Sequence, residues 1–388
     1  MTMLFRIYIK ELKDCFRDRR TLLLTVVLPI VLMTGFVFLF ENLASQGKNE
    51  VYTIAVTQSI DEADKAIFAN YKNLEFIEVK DPKSAVIDGL AIIGLEFSGA
   101  VKDIGKNNDA MKITIIGDAL SQNSSVVMSE IESALSNYGK TIIRDRLQQH
   151  QIDVSMIEPF SIVYEQTVEG DSSLTMLAFL IPLILAASIG VGAGPSASDL
   201  FAGEKERKTM EALLMTPVKR STLLVAKWLT ISSIAALTGI VTLIVIMLEI
   251  NFLTSNLKAA ISLGEKTYIV IVITTVVAIL YATVCASFLM LTSMLAKTTK
   301  EAQTYSTPIL FLVIAPAMYM MGLGVNELKF TYFAIPIVNL YAIFKELFFG
   351  IVQYQHIAVT LLSNFVLTFI IFCICRMMFM KNRWVMNS

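Results

Sequence analysis

Long apolar runs alternate with short charged ones along most of this chain, and one long segment of mixed character interrupts them. The first apolar run is Leu22–Phe40, and five more lie near Leu174–Gly194, Thr222–Ile250, Thr267–Ala296, Thr304–Gly322 and Ile357–Met380. Each has about the 20 residues an α-helix needs to cross a hydrocarbon core. A backbone inside lipid must satisfy its own hydrogen bonds, so such runs cross as helices. The pattern predicts an α-helical membrane protein with six transmembrane helices. Pro29 falls inside the first run, where neighbouring groups can satisfy the freed carbonyl.

Residues 1–20 carry a different period. Arg6, Lys10, Lys13, Arg17 and Arg20 recur at helical spacing, with Phe5, Ile9, Leu12 and Phe16 opposite. This predicts a helix in the membrane interface with its cations toward headgroups. The basic region and the apolar run after it are both too long for a cleaved signal peptide, so 21–41 reads as an uncleaved first span.

The mixed segment, 42–172, is domain-sized. Val51–Thr57, Leu74–Val79, Leu90–Phe97, Met111–Gly117 and Phe160–Val168 have strand character, and Asp61–Lys72 and Ser121–Gln149 helical character. The alternation predicts a compact α+β domain between the first and second spans. It contains no nucleophile-and-base arrangement. Gly139-Lys140-Thr141 resembles the end of a phosphate-binding loop, but the position of its first glycine is Ala134 and the stretch reads as helix interior. Asn123-Ser124-Ser125 fits a glycosylation sequon, a pattern common by chance. A second irregular stretch, 326–355, holds Pro336, Asn339, Lys345, Glu346 and Gly350 within apolar sequence. It is too broken for a span and predicts short re-entrant helices at the outer face.

Composition sharpens this picture. Of 388 residues, 55% are hydrophobic, above the usual soluble range of about 45–50%. The four cysteines, Cys15, Cys285, Cys373 and Cys375, all lie outside the mixed segment, which excludes a disulfide framework there. His150 and His356 lack metal-ligand spacing. A net charge of −1 carries no nucleic-acid signal, and no such partner is expected. Lysine and arginine concentrate in residues 1–20, 205–227, 297–300 and 381–383, whereas the other short loops carry only Lys258, Lys266, Lys329 and Lys345. The positive-inside rule then places both termini in the cytoplasm, 42–172 outside, and 381–388 as a cytoplasmic tail.

The most charged stretch between apolar runs is Asp199–Lys227. Its helical period runs over 199–217, with Met210, Leu213 and Leu214 on one face, Glu204, Lys208 and Glu211 on another, and Pro217 as terminator. Glu204/Lys208 and Arg207/Glu211 have i,i+4 spacing for surface pairs. Glu204, Glu206 and Glu211 balance its cations. Acidic residues suit a protein partner better than anionic lipid. Gly190, Gly192 and Gly194 precede it and read either as sites of close helix packing or as a hinge. The chain has no ATP-binding motif and no catalytic constellation of its own.

Glu204, Thr209-Met210-Glu211, Leu213-Leu214 and Pro217 resemble the signature E-x-x-x-x-T-x-E-x-L-L-x-x-P of ABC-2 permeases. The basic helix before the first span is similar to that family's elbow helix. The large domain after the first span resembles the subgroup that includes sodium-extruding permeases of bacteria. The resemblance implies a homodimeric permease in a bacterial cell membrane, served by two copies of a separate ATPase that binds ATP and Mg. It makes Glu204, Lys205, Glu206, Arg207, Lys208, Thr209, Glu211, Leu214 and Pro217 the coupling helix seated on that ATPase. It implies sodium export, and this chain needs no cofactor of its own. Sodium requires hard oxygen ligands, for which Glu41, Glu249, Asn339 and Glu346 are the pathway candidates, since polar groups near membrane depth are functional by default. No metal-ligand set is identified. Two alternatives stand beside sodium: export of an antibiotic, lipopeptide or lipid-like amphiphile, and a receptor with an outer sensing domain.

Overall fold

The computed structural model describes residues 3–49, 51–57, 66–68, 74–98, 112–118, 121–151, 172–253 and 267–381. It divides into two compact units, Met1–Glu41 with Val168–Ser388, and Asn42–Thr167.

The first unit is helical. It opens with α1 (Met3–Arg17), α2 (Arg19–Leu22), a π-helical turn at Leu23–Val27, and α3 (Leu28–Asn49). Pro29 has no N–H for the Thr25 carbonyl, and its ring crowds that carbonyl in a regular α-helix. The widened turn sits at this point, with Thr25 and Pro29 both buried in protein. Irregular backbone at membrane depth needs such cover. The long helices are α6 (Ser172–Ser198), α9 (Arg220–Leu253), α10 (Thr267–Leu295), α11 (Thr299–Met321) and α14 (Tyr354–Met380); α4, α5, α7, α8, α12 and α13 are placed below. Among the described residues, five segments are long and apolar enough to span a membrane. The first run appears as a shorter apolar helix, Leu23–Phe38.

At the centre, α6, α9 and α10 pack on one another through small residues. Ala186, Ala193 and Ala197 of α6, Ala226 and Ala235 of α9, and Ala278, Ala282 and Ala286 of α10 are all buried. Small side chains let backbones approach where lipid supplies no hydrophobic drive. The irregular stretch 326–355 folds as α12 (Phe330–Ala334) and α13 (Val338–Phe348), and α13 packs between α6, α10, α11 and α14.

The second unit carries a four-stranded sheet: β1 (Tyr52–Val56), β2 (Leu74–Glu78), β3 (Ile93–Phe97) and β4 (Ile113–Gly117), in the order β2-β1-β3-β4. β1 pairs in parallel with β2 and β3, and β4 runs antiparallel to β3. α5 (Gln122–Gln149) lays Val127, Ile131 and Ala134 over Ile54, Val56, Ile93 and Leu95. Four of the expected strands are present. The fifth, Phe160–Val168, lies outside the described residues, as does most of Asp61–Lys72, of which Ala66–Phe68 forms a 3-10 turn. One helix went unread in the sequence: α4 (Pro82–Ile87). Asp81 accepts from the N–H groups of Lys83 and Ser84, and Pro82 starts the helix, the cap chemistry that Asp-Pro before a short run encodes. Gly94 lets α4 lie close, because a Cβ there would stand 2.9 Å from Pro82 Cβ.

Candidate functional site: the coupling segment and the polar clusters it joins

The single helix expected over 199–217 is not what forms. α6 passes into a π-helical turn at Asp199–Gly203, followed by α7 (Glu204–Glu206). Lys208 then takes the left-handed conformation, with φ 57°, and α8 (Thr209–Leu214) starts in a new direction. Pro217 lies in the bend that follows. The break removes the i,i+4 pairs read from the sequence, because those need one continuous helix. Glu204 turns instead to Lys227 of α9, at 2.6 Å, and Arg207 turns back to Asp199, at 2.7 Å.

Lys227 is fully buried. Its ammonium donates to Glu204 and to the Leu200 carbonyl (2.9 Å), lies 3.9 Å from Glu11 of α1, and sits over the Phe201 ring. Burying a charge requires such partners. Lys205 donates to the carbonyls of Met294 and Ala296, at the C-terminal end of α10. A cation there caps orphan carbonyls and meets the negative end of the helix dipole. Glu206 accepts from the backbone N–H (2.9 Å) and hydroxyl (3.0 Å) of Thr299, at the first residue of α11. Thr209 donates to the Glu204 carbonyl. The segment thus holds the end of α10, the start of α11, α9 and α1 in one polar knot.

The remainder of the motif faces away. Lys208, Glu211 and Pro217 are exposed, Met215 is 89% exposed, Leu213 and Leu214 are half-buried, and Met210 is buried beneath them. Sequence reasoning grouped these nine residues as one docking face. Glu204 and Lys205 turn inward, exposed Glu206, Arg207 and Thr209 bond other parts of the chain, and Lys208, Glu211, Leu214, Met215 and Pro217 form the outward edge.

α1 forms the helix expected over residues 1–20. Its buried residues are Glu11 and Cys15, while Phe5 and Phe16 are exposed. Tyr8 bonds Ser233 of α9 at 2.8 Å. The helix packs on protein through Tyr8, Glu11 and Cys15 and leaves Phe5 and Phe16 outward. Burial pushes the Cys15 thiol up to about 11, which leaves it an inert packing group.

A cavity of about 690 Å³ lies between α1, the π turn and the start of α11, with Glu11, Asp14, Asp18, Asp199, Glu204 and Glu206 in its wall against the cations Lys10 and Arg207. Pro195, Ser198 and Gln303 belong also to a second cavity of about 200 Å³, bordered by Gly190, Gly194 and the hydroxyls of Ser306 and Thr307.

The glycines separate in role. A Cβ at Gly192 would stand 2.7 Å from Thr238 Cγ2 of α9, whereas one at Gly190 or Gly194 meets nothing within 4 Å. Gly192 is a close-packing residue within unbroken α6, and the change of direction falls at the π turn and Lys208. Among the pathway candidates, Glu249 is buried and accepts from Thr34 of α3 at 2.5 Å. Asn339 is fully buried and donates to Ser363 at 2.8 Å, with Asn364 donating to its carbonyl oxygen. Glu346 is buried and bonds His356 at 2.8 Å. Glu41 falls within α3, and its side chain lies outside the described residues. Among the described residues, Glu249, Asn339 and Glu346 each bond a different partner. Among the described residues, no group of three or more His, Cys, Asp or Glu could hold a metal ion.

A family model described as ABC-2 family transporter protein matches residues 5–384. The chain belongs to the ABC-2 transporter family. It is therefore the permease component of an ABC transporter, and the receptor alternative falls away. The permease is similar to the "ABC transporter permease protein NatB" of Bacillus subtilis (strain 168), 35% identical over 385 residues, which cover 99% of this chain and 100% of that protein. No solved structure matches it.

Proposed function

We propose that this permease exports sodium ions, driven by a separate ATPase that docks on the outward edge of the coupling segment. The observation that carries the ion reading is the acidic cavity beside that segment. Carboxylate walls raise the local concentration of cations, and the neighbouring small cavity offers hydroxyls and a glycine-rich backbone as further oxygen ligands. Likeness to a protein named NatB points the same way. Two ATPase copies would bind ATP and Mg, and two permease chains would form the pore. With the shorter first helix counted as a crossing, the chain would cross a bacterial cell membrane six times, and the bias of lysine and arginine supports cytoplasmic termini and an α+β unit outside.

The mechanism follows from the polar knot. Thrust on α8 passes through Lys205 and Glu206 to the turn between α10 and α11, and through Glu204 and Lys227 to α9. These helices then move together, a rigid-body mode of switching. One observation favours the amphiphile alternative: an apolar cavity of about 620 Å³ bordered by Ile244, Met247, Ile271, Phe344 and Phe348.

The test is ATP-driven movement of radiolabelled sodium in vesicles carrying the permease with its ATPase. Uptake that requires both proteins and ATP is expected. Absence of sodium movement, with hydrolysis stimulated by an amphiphile, would transfer the assignment to the second reading.

A further inference from the structure

α11 begins at the coupling segment, so the chain that follows it, including α13 and the first turn of α14, lies at the opposite end of the helical unit. Glu346 in the last turn of α13 is 4% exposed, and its Oε1 lies 2.8 Å from Nδ1 of His356 in the first turn of α14. Its Oε2 is buried with no hydrogen-bond partner. The His356 ring is fixed by stacking on Phe333, with centroids 3.9 Å apart and planes 15° from parallel.

Three physical terms act on this pair. Burial disfavours the carboxylate. The C-terminal turn of α13 presents its negative dipole end to Glu346, which opposes the charge of an ionised carboxyl. An ionised carboxylate with one bare buried oxygen is costly, whereas a protonated carboxyl places its hydrogen on the histidine nitrogen and leaves only a carbonyl bare. Nearby groups are otherwise engaged. Lys345 donates to the Met320 and Leu323 carbonyls at the end of α11, and Glu327 accepts from the Gly324 N–H. Tyr319 of α11 bonds Tyr332 of α12, and Glu249 of α9 is held by Thr34. Tyr281 and Cys285 of α10 face Tyr341 of α13. α6 carries no titratable side chain, and on α14 the nearest besides His356 is Tyr354.

We propose that Glu346 and His356 form a proton-binding site in which one proton, taken from water and held along the Oε1···Nδ1 line, latches α13 to α14. A proton is the ligand that fits, because the site has charge and geometry for it and needs no cavity. Burial pushes the Glu346 carboxyl up. A carboxyl raised in the latched hairpin binds its proton above the ordinary carboxyl value. The latched form therefore gains as pH falls into that range and loses the gain as pH rises through the raised value. The site does not depend on the transported substrate or on the ATPase.

The test is infrared difference spectroscopy on the full chain in lipid nanodiscs, without the ATPase, titrated from acid to alkaline buffer. A protonated-carboxyl band is expected to titrate above the ordinary carboxyl range and to vanish in Glu346→Gln. His356→Phe keeps a ring on Phe333 but removes the nitrogen. Its band midpoint should move to lower pH by about one unit, a tenfold loss of proton affinity, because the nitrogen that accepts the bound proton is gone. Both variants are checked for monodispersity first. An unchanged carboxyl titration in folded Glu346→Gln, or an unshifted midpoint in folded His356→Phe, overturns the site.

Discussion

Lys205, Lys227 and Lys345 are buried and satisfied by protein oxygens rather than by water or headgroups. Two of them cap long helices: Lys205 closes α10 and Lys345 closes α11. Lys227 is the hub between Glu204, Glu11 and the Leu200 carbonyl. Removing one partner of a buried pair strands the other charge, at a cost of about 3–5 kcal/mol. Lys227→Met should therefore lower the thermal unfolding midpoint in detergent strongly, and adding Glu204→Gln should restore much of the loss. Glycine predictions belong at this scale too. Gly192→Ala forces a contact with Thr238, and overpacking of this kind costs about 1–3 kcal/mol. Gly190→Ala meets open space and should be neutral or slightly stabilising by the same unfolding assay. The sequence could not distinguish these two glycines, since spacing records that small residues are present but not which one a neighbouring helix touches. It could not assign the lysines either, because their partners are carbonyls of distant helices.

At the scale of elements, the charged segment after α6 is not the single helix its period predicts. Its charge, its position between apolar runs and its motif marked the place. The periodicity assumed one helix, but Lys208 adopts φ 57°, a conformation no periodic pattern announces. The break divides the motif, and the two halves should fail differently. Met215→Asp, on the 89% exposed edge, should abolish co-purification of the ATPase without changing the unfolding midpoint. Glu204→Ala should lower the midpoint as well as coupling. Equal behaviour of the two variants in both assays would show that the division has no functional meaning. Elements whose core face has a regular period, such as β1, β3 and α5, were read correctly from the sequence. α1 was read as an interfacial helix from its basic and apolar faces; that pattern did not show that Glu11 and Cys15 are the residues it buries against protein.

For the whole molecule, five long apolar helices among the described residues match five of the six runs drawn from hydropathy, and the first run forms a shorter apolar helix. Hydropathy works here because lipid leaves the backbone few choices. The transport route was not legible, since Glu249 and Glu346 each bond a different partner, and the acidic cavity arises from residues of α1, the π turn and α11 that are distant in sequence. The central claim is that the segment after α6 is where a separate ATPase acts on this permease. Site-specific photo-cross-linking in the intact complex tests it most directly, with a probe on Met215→Cys. Cys15, Cys285 and Cys375 are buried and Cys373 is half-buried, so a Cys373→Ser background confines labelling to the new site. An adduct with the ATPase from position 215, and none from the exposed Lys140 of the α+β unit labelled as Lys140→Cys, is the predicted result. Adducts from position 140 with none from 215 would contradict both the coupling assignment and the orientation of the chain in the membrane.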